Sequence, residues 1–257
     1  MRFDHFPNRL LIPQQAVSLS EWKQVIENLA QSGYIKNMQK NLYQAEREKM
    51  VHWQLIRRGI VNQRLLEVMQ NLPRHIFVPP DCRDHAYEDR PLPIGDGQTI
   101  SQPYIVALMT NLLDLQGHET VLEIGTGSGY QAAILAHLAQ TVHTVERNIA
   151  LARQAQAILL HLDIHNVVFH VCDGSLGWPE AAPYQAIIVT AAAPEVPPAL
   201  QQQLDEGGRL VIPVGARYRQ TLEVWHRQGA DFQRQTVLPV AFVPLVGEQG
   251  WPDDSWY

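Results

Sequence analysis

The sequence predicts an α/β fold: a doubly wound, mostly parallel sheet with antiparallel late strands, preceded by an N-terminal helical extension. Three observations carry that expectation. From residue 119 onward, short apolar strands alternate with amphipathic helices, the pattern of a parallel sheet covered by helices on both faces. A glycine cluster, Gly125-Thr126-Gly127-Ser128-Gly129, falls where the first of these strands turns into a helix. Residues 1–49 differ in texture from everything that follows and read as an appendage to a domain spanning 50–257.

In the extension, Ser18-Leu-Ser-Glu21 has the S-x-x-E form of a capping box. Trp22, Val25, Ile26 and Leu29 then share one helical face, which Gly33 closes. Residues 36–49 are polar and charged, and the extension as a whole reads either as a helical segment packing on the main domain or as a partner-binding arm. Two amphipathic helices are expected next, over 50–58 and 62–72. The stretch from Pro73 to Gly97, rich in Pro, Asp and Arg, reads as irregular. Ile105, Leu108, Met109, Leu112 and Leu113 mark a helix starting near Pro103. The alternating region then runs as strand Thr120–Ile124, helix Tyr130–Leu138 and strand Val142–Glu146. A helix lined by Leu151, Ala155, Ile158 and Leu162 follows. Strands Val167–Cys172 and Ala186–Thr190, a helix over 197–204 and strand Arg209–Val214 come next. Leu222–His226 and Val237–Val243 are expected as an antiparallel pair.

Composition narrows the function. The 257 residues carry 20 Lys plus Arg against 26 Asp plus Glu, a formal charge of −6, which argues against nucleic acid as the ligand. Cys82 and Cys172 are the only cysteines, so neither a disulfide scaffold nor a zinc ribbon is available, and a reducing compartment fits. His161 and His165 have i, i+4 spacing without an H-E-x-x-H motif, and no metal site is expected. No secretory signal and no long apolar run is present, so a soluble, cytoplasmic protein without membrane contact is expected.

The spacing of the glycines discriminates among ligands. A dinucleotide fingerprint is G-x-G-x-x-G, but here the third glycine comes one residue early and Tyr130 takes the sixth position. A P-loop needs Gly-Lys-Ser/Thr, and no lysine is present. Glu123-Ile-Gly125-Thr-Gly127-Ser-Gly129 instead resembles motif I of class I S-adenosylmethionine-dependent methyltransferases, a Rossmann-like group. Glu146 ends the second strand, 21 residues after Gly125, where an acid can accept hydrogen bonds from both ribose hydroxyls; a surface Glu at a strand end, beside polar Arg147 and Asn148, is the alternative. Asp173-Gly174 ends the third strand, where an acid would meet the adenine amino group; a plain Asp-Gly turn is the alternative.

Six stretches in order resemble the protein-L-isoaspartate O-methyltransferase family. They are Arg90-Pro-Leu-Pro-Ile-Gly-Asp-Gly-Gln-Thr-Ile-Ser-Gln-Pro103, Glu123–Gly129, Asp173-Gly-Ser-Leu-Gly-Trp178, Ala191-Ala-Ala-Pro194, Gly207-Gly-Arg-Leu-Val-Ile-Pro-Val-Gly215 and Phe242-Val-Pro-Leu245. The resemblance implies methyl transfer from S-adenosyl-L-methionine to the α-carboxylate of L-isoaspartyl residues in damaged proteins and peptides, with an exchanged order of the last two strands. The methyl ester then closes to a succinimide whose hydrolysis returns part of the residue to normal Asp. Ser101, in Thr99-Ile-Ser101, is the implied catalytic residue, with an N-cap for the following helix as the alternative. The implied cofactor set is Gln98, Thr99, Ile100, Glu123, Gly125, Thr126, Gly127, Ser128, Gly129, Glu146, Arg147, Asp173 and Gly174. Ser101, Pro213, Val214 and Gly215 are the implied substrate-binding residues, with backbone groups of Val214 pairing with an extended peptide. A monomer is expected.

The chemistry suits the residues. A carboxylate nucleophile with a pKa of roughly 3.5–4 is already ionised at neutral pH, so no general base is needed. The sequence shows no conspicuous acid/base constellation. The usual Asn/Asp-Pro-Pro-Tyr/Phe of amine methyltransferases is absent after the fourth strand, where Ala191–Pro194 stands. Departures from the family pattern are the unmatched residues 1–49, Gln185 where Asp is usual, and Cys172 where Gly is usual. Two other readings stay open: methylation of a designated Asp in one partner to drive aspartimide formation, and a catalytically idle S-adenosylmethionine-binding protein.

Overall fold

The structure, a computed structural model, describes residues 43–217 and 219–252. The expected helix beginning at Ser18-Leu-Ser-Glu21 lies outside the described residues. The chain divides at Ala45/Glu46, and the unit from Glu46 onward holds the sheet.

Helix α1 (Gln44–Lys49) leads into a π-helical turn, Met50–Leu55, and a 3₁₀ turn, Ile56–Arg58, that ends at Gly59 with φ 91°. A regular amphipathic helix over 50–58 is therefore not formed. Helix α2 (Gln63–Asn71) is capped by Asn62, whose side chain accepts from the Leu65 N–H, and it buries Leu65, Leu66 and Met69. The segment read as irregular, Pro73 to Gly97, ends in the first strand and the turn of a hairpin, β1 (Leu92–Gly95) and β2 (Gln98–Ile100), joined through Asp96-Gly97. Both turn residues have positive φ, 49° and 70°, as a type I′ turn requires. Asp-Gly is a strong hairpin signal, but strands this short, one carrying Pro93, give too few residues for periodicity to place them, although Leu92 and Ile94 are buried in alternation with exposed Pro93 and Gly95.

Helix α3 (Pro103–Leu113) buries Val106, Ala107, Met109, Thr110 and Leu113, whereas Ile105, Leu108 and Leu112 are only partly covered. The buried face is thus rotated from the expected one, because α3 packs on α2 and the π-helical turn as well as on the sheet. Strand β3 (Thr120–Ile124), helix α4 (Tyr130–Leu138) and strand β4 (Thr141–Glu146) lie where the sequence places them. Helix α5 (Ile149–His161) is capped by Asn148, whose Oδ1 accepts from the Ala150 and Leu151 N–H groups at 2.9 and 3.4 Å. Strands β5 (Val167–Val171) and β6 (Tyr184–Val189), helix α6 (Pro198–Gln203) and strands β7 (Leu204–Ala216), β8 (Arg219–Gln228) and β9 (Asp231–Val240) complete the unit.

The seven-stranded sheet has the order β5-β4-β3-β6-β7-β8-β9. The first five are parallel, and β8 runs antiparallel to both neighbours. The late antiparallel pair and the exchanged order of the last two strands are both present. Right-handed crossovers stepping outward from β3 in opposite directions put α4 and α5 on one face and α6 on the other. Leu122, Ile124 and Val145 join Val189, Leu200, Leu204 and Leu210 in one buried cluster beneath α6. Gln185 ties the base of the sheet: its Oε1 accepts from Thr120 N–H at 2.8 Å and its Nε2 donates to Asp205 Oδ2 at 2.8 Å. The order reverses at β3, so the crevice for a ligand opens at the carboxyl ends of β3 and β6.

Three half-buried histidines couple this fold to pH. Burial pulls His75 down to about 4, and it lowers His143 and His170, whose rings stack at 5.3 Å with Nδ1 of one 3.0 Å from Nε2 of the other. The unfolded chain therefore takes up protons that the folded one refuses. This contribution to stability is complete above the ordinary histidine value of 6.5 and is lost as pH falls from there toward about 4. A thermal melting series across that window should show Tm falling, with a shallower fall in His75→Gln; identical slopes would contradict the assignment to His75.

Candidate active site

A cavity of about 300 Å³ opens at the reversal point, at the small end of the range of roughly 300–1,000 Å³ typical of small-molecule sites. Its floor is the loop after β3. Gly125 N–H donates to Val145 O at 2.8 Å, which holds the loop on β4. Gly125 has φ 95°, and a Cβ there would lie 2.4 Å from Thr190 Oγ1. The Thr190 hydroxyl fills that space and shares its one proton between Ile124 O and Gly125 O, 3.0 and 2.6 Å away. Gly129, with φ 84°, lets α4 start within contact of α5: a Cβ would lie 2.9 Å from Ala155 Cβ. The loop's shape thus follows from two glycines that no other residue type replaces without strain.

Glu146, at the end of β4, is buried and faces the loop. Its Oε2 accepts from Gly127 N–H and its Oε1 from Asn148 N–H, both at 2.9 Å. Each carboxyl oxygen keeps a free lone pair, so two hydroxyl donors from the cavity side are still accommodated. Asn148 Nδ2 donates to Asp96 Oδ2 at 2.7 Å, which pins the hairpin turn beside the same carboxyl group. Glu123 is fully buried beneath the loop. Thr144 Oγ1 donates to its Oε2 at 2.5 Å and lies 2.6 Å from Thr126 Oγ1. Burial, with the neighbouring Glu146 charge adding to it, pushes Glu123 up to about 8. Its Oε1 has no hydrogen-bond partner among the described residues.

Of the expected site residues, the structure brings Gln98, Thr99, Ile100, Ser101, Gly125, Thr126, Gly127, Ser128, Glu146, Arg147 and Gly174 to this one cavity. Ser101 is not a helix cap: α3 begins after Gln102, without a side-chain cap. Its carbonyl accepts from Arg74 Nη2 at 2.8 Å. Glu123 and Gly129 lie behind the cavity wall and shape it.

Two expectations meet a different geometry. Asp173 lies outside the wall, in a neighbouring depression with Cys172 and Glu248. Its Oδ1 accepts from Ser175 N–H and Oγ at 2.9 and 2.7 Å, and its Oδ2 accepts from Glu248 N–H at 2.7 Å. It fastens the C-terminal loop to the end of β5. Pro213, Val214 and Gly215 do not reach the cavity. Pro213 O accepts from Ala193 N–H at 3.0 Å, and Gly215 N–H donates to Ala193 O at 2.9 Å. Strand alternation then turns the Val214 backbone groups toward Thr221 of β8, so a peptide pairing with Val214 would have to displace that strand. The wall segment missed from the sequence is Val243–Val246, held by Leu245 N–H donating to Ala192 O at 2.8 Å; Tyr130, Gln131 and Thr190 were missed as well. The stretch Phe242–Leu245 signalled it, but without periodicity to place it.

The profile of the protein-L-isoaspartate(D-aspartate) O-methyltransferase family matches residues 44–250. The chain belongs to this family. Protein-L-isoaspartate O-methyltransferase 1 of Syntrophobacter fumaroxidans is 54% identical over 210 residues, 81% of this chain and 98% of that protein. The Trichlorobacter lovleyi protein-L-isoaspartate O-methyltransferase is 56% identical over 211 residues, 81% of this chain and 97% of its own length. A solved protein-L-isoaspartate O-methyltransferase superposes with a TM-score of 0.72 at 31% identity, covering 79% of this chain and 67% of that one. A putative family member from Plasmodium falciparum, solved in complex with S-adenosyl-L-homocysteine, has the same fold, with a TM-score of 0.67 at 24% identity over 77% of this chain and 96% of that one. Among the described residues of this O-methyltransferase family member, no helix is long and apolar enough to cross a membrane.

Proposed function

We propose that the chain methylates the α-carboxylate of L-isoaspartyl residues in damaged proteins and peptides, with S-adenosyl-L-methionine as donor, and so initiates their repair through a succinimide. The observation that carries this reading is a single cavity with a ribose-type acceptor, Glu146, and the Ser101 segment in its wall, and with no histidine, lysine or cysteine lining it among the described residues. The one carboxylate in that wall among the described residues, Glu146, is held by the Gly127 and Asn148 N–H groups, and a carboxylate acceptor with a pKa of roughly 3.5–4 needs no base.

The residues fit the donor. Glu146 has acceptor capacity for two hydroxyls, and the Gly125–Ser128 loop leaves room for a nucleoside without offering a lysine to a phosphate. When bound, the donor supplies an electrophilic methyl group on a positively charged sulfur. Gln98, Thr99 and Ile100 form the wall opposite the loop, and Gly174 closes it at the end of β5. Ser101 orients the acceptor carboxylate through its hydroxyl. The apolar side chains of Val243, Leu245 and Val246 exclude water from the line of attack. Alignment of this kind supplies roughly 7–11 kcal/mol in favourable cases. Replacing Glu146 with Ala should raise the cofactor Kd about 10–100-fold, as expected for losing hydrogen bonds to a charged acceptor worth about 1.5–3 kcal/mol. Isothermal titration with S-adenosyl-L-homocysteine measures it, and an unchanged Kd would contradict the ribose role.

The same reading has the enzyme working as a monomer in the cytoplasm, with residues 1–49 as an appendage to the catalytic unit. Cys82 and Cys172 are free thiols, as a reducing compartment requires. The test is methyl incorporation from labelled donor into an isoaspartyl peptide, its normal-Asp twin and an unmodified control. Transfer confined to the isoaspartyl peptide is the expected result. No transfer to it overturns the reading. Transfer only to an Asp of one partner protein, dependent on residues 1–49, would favour a dedicated-partner enzyme, and binding without transfer an idle protein.

A further inference from the structure

Arg74 stands outside every role assigned above, yet it is fully buried. It sits on the 3₁₀ turn Arg74–Phe77, in the segment that the sequence left irregular. Its Nε donates to Ala86 O at 2.7 Å and its Nη2 to Ser101 O at 2.8 Å. The guanidinium carbon lies 4.8 Å from the ring centroid of Tyr130, which is part of the cavity wall and packs edge-on against Phe77 at 5.3 Å. No carboxylate among the described residues lies within ion-pair distance of it, although the Asp89 charge favours its charged form; its Nη1 and the Tyr130 hydroxyl are both buried without a well-aligned partner among the described residues, and that hydroxyl is the polar side chain acting on it. A buried cation with no carboxylate in contact is costly, and a simple packing role does not call for one. A planar fork with rigidly placed donors, by contrast, is suited to holding two carbonyls at a fixed separation.

We infer that Arg74 is a positioning residue for methyl transfer: its guanidinium clamps the Ser101 carbonyl to the Ala86 carbonyl and backs the Tyr130 wall, so that the Ser101 hydroxyl is held at the acceptor carboxylate. The clamp acts through the main chain, so Arg74 itself touches neither substrate nor donor. Lysine keeps the charge but presents a point donor on a flexible stem, and it does not reproduce the two-carbonyl geometry. The inference rests on the isoaspartyl reading of the cavity.

The test compares wild type, Arg74→Lys and Arg74→Met, each first shown to melt cooperatively, for kcat and KM on an isoaspartyl peptide and for Kd of S-adenosyl-L-homocysteine. The expected result is a kcat lowered about 10–100-fold in Arg74→Lys, with cofactor Kd unchanged, because a small misplacement of an aligning group costs rate rather than donor binding. Arg74→Met should lose at least as much. A folded Arg74→Lys with wild-type kcat overturns the clamp. A loss of cofactor affinity in step with kcat also overturns it, since that would mark a general collapse of the cavity. Should neither variant fold, the wild-type protein decides: the Arg74 guanidinium ¹⁵N signals should shift when the isoaspartyl peptide binds, and unchanged signals overturn the proposal. A wild-type enzyme inactive on the isoaspartyl peptide would sink the functional reading and this inference together, whereas an active one with unaffected variants sinks this inference alone.

Discussion

Ser101→Ala is expected to lower kcat on an isoaspartyl peptide by about 10–100-fold and to leave S-adenosyl-L-homocysteine affinity unchanged. The magnitude is that of one hydrogen bond to a charged group, about 1.5–3 kcal/mol, converted at about 1.4 kcal/mol per decade. Direction and selectivity come from geometry. Ser101 lies in the cavity wall, its hydroxyl does not cap α3, and its carbonyl is already held by Arg74. Removing the hydroxyl therefore leaves the main chain and the helix start intact, and only the alignment of the acceptor is lost. Stopped-time assays with saturating donor separate the two quantities. Undiminished turnover in a folded Ser101→Ala protein would refute the role given to Ser101.

Gly125→Ala should abolish measurable cofactor binding and destabilise the protein by about 2–5 kcal/mol. Two costs add. An alanine at φ 95° enters a region that costs an L-residue about 1–2 kcal/mol. Its Cβ, 2.4 Å from Thr190 Oγ1, also forces a rearrangement of a packed contact worth about 1–3 kcal/mol. Thr190 has no slack to offer, since its hydroxyl bonds Ile124 O and Gly125 O at the point where β3 and β6 diverge. Chemical denaturation and titration with the cofactor product measure the two effects. A Gly125→Ala protein with wild-type stability and affinity would contradict the account of the loop.

The sequence was most legible where one local rule sufficed. Strand–helix alternation placed β3, α4, β4 and α5 to within a residue or two, and the glycine spacing identified the loop at the reversal point. Legibility failed where a residue's role depends on a distant segment. Asp173 follows its strand by two residues and caps the next 3₁₀ turn, but whether its carboxyl faces a ligand or the backbone of Glu248 is decided by a loop 75 residues away. Pro213–Gly215 sits at a strand end on the ligand side by topology, yet Ala193 occupies that edge, a pairing that no periodicity reveals. Arg74 looked like one more basic residue in a polar stretch; only the fold brings Ala86, Ser101 and Tyr130 around it. The hairpin at Asp96-Gly97, like the Phe242–Leu245 stretch, carried a signal that was outweighed, because strands of four and three residues are too short for periodicity to place them.

The central claim is that the cavity delivers a methyl group to the α-carboxylate that isoaspartate exposes, and the position and fate of that methyl group test it most directly. After one turnover of an isoaspartyl peptide, fragment mass spectrometry should place the methyl on the α-carboxylate as an ester. Mild base should release methanol and give a succinimide that hydrolyses to a mixture containing the normal Asp peptide, while the normal-Asp twin stays unmethylated. A base-stable methyl group, or equal esterification of the twin, would contradict the account.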